Sequence, residues 1–225
     1  MHISRTTYPA RAQSGITGLE TAIILIAFVV VAAVFAFTVL SVGVFSAERS
    51  KETVHAGLDE TTSTLNPKGG MIAISGAVSG TNGVAQVKFV LGQSTSGDVV
   101  DLTPPYLAGG SGTDPDASGL ESKLVVSYTD SVQHINEAAW TVEFTGFSNG
   151  DYLLDKDEQA EITVWLHSKN TGTGAFALGT AGSDYLTTRL GINTKFTITV
   201  NSEEGATFSM ERRVPSRLNT GMDLR

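Results

Sequence analysis

The chain has 225 residues, with 15 Lys and Arg against 23 Asp and Glu, a formal charge of −8 and no cysteine. An acidic surface of this kind repels nucleic acid, and the absence of thiols excludes both a disulfide framework and a thiolate metal site. The length suffices for one globular domain of ordinary size beside a long helix.

In chain order, the first element is a basic leader, MHISRTTYPARAQSG, which carries Arg5 and Arg11, no acid, and ends on Gly15. Removing it would take the charge to −10. Behind it lies GITGLETAIILIAFVVVAAVFAFTVLSVGVF, in which Ala22 to Leu40 contains a single polar side chain, Thr38. At about 1.5 Å rise per residue a helix over this run matches a hydrocarbon core of about 30 Å, and the basic leader on the cytoplasmic side satisfies the positive-inside rule. The apolar run is longer than that of a secretory signal, and its small residues precede it rather than follow it. Hydropathy alone fits a single-pass anchor that keeps its basic tail.

The order of parts, from basic leader through Gly15 and Ile16-Thr17-Gly18-Leu19-Glu20 to the apolar run, resembles the type IV prepilin signal and most closely that of the archaeal flagellins, or archaellins. The resemblance implies cleavage by a prepilin-type peptidase between Gly15 and Ile16, with Gly18 third and Glu20 fifth in the mature chain. The residues themselves allow two roles for Glu20. In a stack of parallel helices its carboxylate, costly if buried alone, could pair with the new amino group of Ile16 on a neighbour and set axial register. As a first-turn acid it equally favours the helix dipole and sits at headgroup level.

After Phe45 the helix turns polar through Ala47-Glu48-Arg49-Ser50-Lys51-Glu52, with Val54 and Leu58 leaving one narrow apolar stripe. It is expected to reach Gly57 or Asp59, about 65 Å in all, so that residues 16–60 form the assembly helix. Ala32 and Ala36 make a small-xxx-small pair that lets another helix approach closely. The assembly surface is expected to include Ala22, Ile26, Phe28, Ala32, Ala36, Phe37, Leu40 and Phe45.

Residues 61–70, rich in Ser, Thr, Asn, Pro and Gly, read as a linker. Residues 71–225 then show short runs with period-two alternation: Met71–Ala77, Ala85–Leu91, Lys123–Tyr128, Trp140–Phe144, Glu161–Leu166, Lys195–Val200 and Ala206–Met210. In the second run Ala85, Val87, Phe89 and Leu91 fall on one face. Such runs, separated by turn residues, predict a two-sheet sandwich of immunoglobulin-like kind with exposed loops at Ser94–Gly97, Gly109–Gly119 and Asn170–Ser183. The fold class is thus α+β, a long hydrophobic helix followed by an all-β domain. Met71 to Gly76, the run Phe196 to Val200, Gly205-Ala206-Thr207 and Arg213-Val214-Pro215 also resemble the first strand, closing hairpin and tail of the archaellin outer domain.

Enzymatic motifs are absent: no G-x-S-x-G, H-E-x-x-H or P-loop pattern occurs. Gly172 to Ala177 fits G-x-G-x-x-A but stands in a Gly/Thr-rich gap and opens no helix. His2, His55, His134 and His167 are scattered and read as surface residues. The groups Asp151, Asp155, Asp157, Glu158, Glu161 and Asp114, Asp116, Ser118, Glu121 could supply oxygen ligands to calcium, but neither has EF-hand spacing and an Asp-rich turn before a strand is the favoured account. No catalytic residue, metal or cofactor is expected. None of the eight Asn begins N-x-[ST], which removes the usual sequon and leaves sugars on Ser or Thr open.

The reading is a filament subunit that polymerises with itself through its helix while the sandwich faces water. The archaellin resemblance implies insertion in the cytoplasmic membrane before assembly, an export machinery and a membrane-embedded motor, and a rotating extracellular filament used for swimming. Alternatives are an archaeal type IV adhesion pilin and a membrane-anchored surface binding domain.

Overall fold

A computed structural model describes residues 14–62, 65–93, 99–203 and 206–224. Residues 1–13 of the expected leader, the whole of the 94–97 loop and Gly205 lie outside them. The chain divides into two compact units, Met1–His55 and Ala56–Arg225.

Helix α1 spans Ser14–Thr62, a few residues longer at each end than the sequence suggests. Neither Pro nor a cluster of turn formers interrupts it, and strong helix formers fill its polar end, so its 49 residues run for about 73 Å at 1.5 Å each. Thr21 Oγ1 donates to the Gly18 carbonyl (3.0 Å) and Thr38 Oγ1 to the Phe35 carbonyl (2.9 Å). These two threonine hydroxyls are thereby satisfied by the helix itself.

The sandwich begins with β1, Leu65–Val78, and β2, Thr81–Gln93, joined by a tight turn with Ser79 and Gly80 at positive φ. The expected linker over 61–70 is therefore corrected: pairing starts at Leu65, which sits opposite Gln93. Pro67 is tolerated because this part of β1 has β2 on one side and, among the described residues, no strand on the other. The remaining long strands are β3 Leu124–Asp130, β4 Trp140–Thr145, β5 Gln159–Trp165, β6 Lys195–Ser202, β7 Phe208–Arg213 and β8 Gly221–Leu224.

One sheet runs β8-β1-β2-β5-β4 and the other β7-β6-β3, each neighbour antiparallel. Counting β1, β2, β3, β4, β5, β6 and β7 as A to G gives A-B-E-D facing C-F-G, the strand order of a constant-type immunoglobulin domain. The edge strand β8 and the short His134–Ile135 segment extend the two sheets beyond that scheme. The inner faces meet in one core, where Phe89, Leu91, Trp140, Ile162 and Val164 from the first sheet join Val126, Tyr128, Phe196, Ile198 and Val200 from the second. Tyr128 stacks on Phe196 with ring centroids 5.8 Å apart, and its hydroxyl donates to Asp130 at 2.9 Å. Burial and the adjacent Asp130 carboxylate raise the Tyr128 phenol, so it stays protonated and donating.

One expected alternation fails. Ile74 pairs with Gln86 but Ser75 with Val84, so Ala85 is an unpaired bulge residue. The bulge turns Ala85 to the opposite face from Val87, Phe89 and Leu91, into a second small core with Val78, Ala139, Trp165 and Phe176. Gly76 permits this: a Cβ there would lie 2.5 Å from the Phe176 ring.

Candidate assembly surface

From Leu19 to Phe45 every large apolar side chain of α1 is more than half exposed, including Ile26, Phe28, Phe37, Leu40 and Phe45 at 59–75%. Ala22, Ala32, Ala36 and Glu20 are exposed as well, and nothing lies within 4 Å of where a Gly18 Cβ would stand. Gly15 and Ile16 fall in the first turn of α1 by backbone, and their side chains lie outside the described residues. The segment Gly18–Leu58 is long and apolar enough to cross a membrane.

The magnitude of this exposure decides what the helix can be. At about 1.5–3 kcal/mol for each fully buried Val, Leu, Ile or Phe, leaving these side chains in water forfeits tens of kcal/mol. Such a helix is covered by lipid or by other protein.

The surface is not uniform. Phe35, Ala36, Val39, Leu40, Gly43, Val44 and Ala47 line a shallow apolar notch of about 590 Å³. Ala36 was legible as a small residue, but Gly43 and Ala47 were missed. Their signal was spacing, since positions 36, 40, 43 and 47 follow the i, i+4, i+7, i+11 pattern of one helix face. At the polar end, Arg49 reaches back over the Phe45 ring (5.5 Å to the centroid) and pairs with Glu52 at 3.0 Å. That ion pair is exposed and is worth a few tenths of a kcal/mol at most.

The sandwich offers loops stabilised from within. Glu158, 3% exposed, accepts from the Asn149 amide N–H (2.9 Å) and the Asp155 amide N–H (3.2 Å), while Asp151 accepts from Leu153 N–H at 2.9 Å. Asp114 accepts from the amides of Gly109 and Gly110. These carboxylates fold backbone turns, and among the described residues no group of three or more His, Asp or Glu is placed to hold a metal. In the Gly172–Ala177 stretch Thr173 N–H donates to Asn170 and the chain enters a two-residue strand rather than a helix.

His167 corrects the surface assignment: it is 0% exposed, just beyond β5, and neither ring nitrogen has a protein hydrogen-bond partner of good geometry. Burial, helped by the positive charge of Arg189 and opposed only in part by the Leu186 backbone, pushes its pKa down to about 4. His134, by contrast, is exposed and bonded at both nitrogens, 2.6 Å from Thr129 Oγ1 and 2.7 Å from Asn136 Oδ1.

A helix exposed along its apolar length, preceding an immunoglobulin-type sandwich with its own closed core, defines a two-part chain whose helix requires cover. Sequence comparison narrows the class: residues 15–212 match the archaeal-type flagellin family, and the chain belongs to that family of structural filament subunits. It is 34% identical over 214 residues to probable flagellin 1 of Archaeoglobus fulgidus, covering 94% of this chain and 95% of that protein. Against probable flagellin 1 of Aeropyrum pernix the identity is 31% over 221 residues, covering 94% and 97%. Among solved structures, the subunit of the archaeal flagellum of Methanospirillum hungatei strain JF1 aligns with a TM-score of 0.55 at 24% identity, over 92% of this chain and 99% of that one.

Proposed function

We propose that this chain is the subunit of an extracellular archaeal flagellar filament for swimming, and that α1 is the element through which copies of the chain polymerise. The observation that carries this reading is the exposure of α1 on all faces in a chain of the flagellin family. Before assembly the helix lies in the cytoplasmic membrane. A prepilin-type peptidase then removes residues 1–15 by cutting between Gly15 and Ile16, a site at the edge of the matched family region. The helix passes from lipid to the helices of neighbouring copies with little change in polarity, so export is feasible once many neighbours replace the lipid. Repetition of one non-closing contact gives an open helical filament, which a membrane-embedded motor turns. Within it, Ala22, Ile26, Phe28, Ala32, Ala36, Phe37, Leu40 and Phe45 pack between copies, and Glu20 pairs with the Ile16 amino group of a neighbour. The chain has no catalytic role in this scheme.

The test is the N-terminal peptide mass of the native protein from cells. A mature chain beginning at Ile16 is expected. A surface protein that still begins at Met1 overturns the cleavage and makes α1 a permanent anchor.

A further inference from the structure

Two Asn-Gly dipeptides occur in the chain, Asn82-Gly83 and Asn149-Gly150. Asn-Gly is the dipeptide most open to attack by the backbone on its own side chain, because Gly offers no Cβ to obstruct the ring that forms. The two sites differ completely in backbone setting.

Asn82 and Gly83 lie within β2, where Asn82 pairs with Ala77 and Gly83 with Gly76. Gly83 is buried, with Arg189 and the Leu190 carbonyl 3.6 Å from the position of a Cβ. An extended strand residue holds ψ near about +135°, which turns the next amide nitrogen away from the side-chain carbonyl carbon. Ring closure at Asn82 therefore requires the β1–β2 pairing to open.

Asn149 and Gly150 lie in the exposed turn between β4 and β5, with Gly150 at φ +93°. Gly150 N–H donates to the exposed Ser148 hydroxyl, at 3.1 Å. Asn149 Oδ1 accepts from the Asp151 amide N–H at 3.1 Å, a bond that polarises the side-chain carbonyl and stabilises negative charge building on its oxygen. Nothing in the ladder has to break for the Gly150 nitrogen to reach Cγ.

We propose that Asn149 is a site of spontaneous deamidation in the folded chain, and that Asn82, with the same dipeptide, is protected. The Gly150 nitrogen, having lost its proton to solvent base, bonds to Asn149 Cγ. The Cγ–Nδ2 bond breaks and ammonia leaves with a proton from water. Water then adds across one or other C–N bond of the succinimide, giving aspartate or isoaspartate, with no oxidant or reductant involved. The product carries a carboxylate where Asn149 Nδ2 now donates to Asp155 Oδ2 at 3.3 Å. Isoaspartate also lengthens the backbone beside the Asn149 N–H bond to Glu158. Ageing thus adds negative charge to the turn and loosens its tie to Glu158.

The full-length protein is incubated in mildly alkaline buffer, folded and in parallel in denaturant, then digested with trypsin. Peptides 69–88 and 124–156 report Asn82 and Asn149 separately, and fragment ions distinguish Asn149 from Asn136. In the folded protein Asn149 should convert at least about tenfold faster than Asn82, since a paired site reacts only through opening. In denaturant the two rates should converge. G150A should slow conversion at residue 149 in both states. Equal folded-state rates, a faster Asn82, or conversion at Asn149 in denaturant only, would each overturn the proposal.

Discussion

Helix α1 and the sandwich place similar apolar side chains in opposite surroundings. Phe28, Phe37 and Leu40 are 69–75% exposed, whereas Phe89, Phe196 and Leu91 are at most 2% exposed. The sandwich closes its core with its own two sheets and needs no other chain to do so. The helix has no second layer, and its stability belongs to whatever covers it. Folding and assembly are thus assigned to different stretches of one sequence, and substitutions should separate them.

The largest expected effect is all-or-none. Deleting residues 1–60 should leave the sandwich with its thermal transition intact and abolish filaments, read by calorimetry and by electron microscopy with sedimentation. Filaments from that fragment would remove α1 as the assembly element. The converse is a core deletion: F196A, which takes the ring from beneath Tyr128, should destabilise the domain by about 3–5 kcal/mol, measured by chemical denaturation.

A pH dependence comes next. His167 has a folded pKa of about 4 against an ordinary value of 6.5, so between these limits the unfolded chain binds the extra proton. Stability conferred by the neutral ring is fully present above pH 6.5 and is lost as pH falls towards 4, on the order of 3 kcal/mol in total. H167L should flatten that limb of the stability profile; an unchanged slope would mean that the ring is not held neutral by the fold. Smaller again is E158Q, which weakens two backbone bonds and should cost about 1–3 kcal/mol while leaving filament formation in place. The smallest is R49A, whose exposed pair with Glu52 should contribute under about 0.5 kcal/mol to the stability of α1, read as helix content by circular dichroism.

The seven central strands were legible because each buries one face, and burial imposes period two on six or seven residues at a time. The helix was legible for a simpler reason, since an unbroken apolar run of membrane length has few other uses. What escaped notice depended on partners far along the chain. β8 is four residues long, and its Met222 and Leu224 show alternation too brief to stand out until they lie against β1. The segment Leu65–Gly70 has the composition of a linker and is a strand because residues 90–93 are there to pair with it. Ala85 kept the alternating pattern in sequence and lost it in space through a single bulge. His167 carries no sign in its neighbours' identities that both faces of its ring will be covered. On the helix, the notch around Gly43 was hidden because an all-apolar stretch has no polar face against which to read a periodicity.

The Thr21 and Thr38 hydroxyls, each turned back on its own helix, have a consequence for how copies find their alignment. Between Glu20 and Glu48 the rod offers neighbours no charged side chain, and its polar side chains there are few: the two returned threonine hydroxyls, Ser41 and Ser46. Sliding one helix along another by a turn therefore meets little chemical penalty over that length. Alignment is left to contour, such as the hollow at Gly43, and to the charged groups at the two extremities, like a ruler graduated only at its ends.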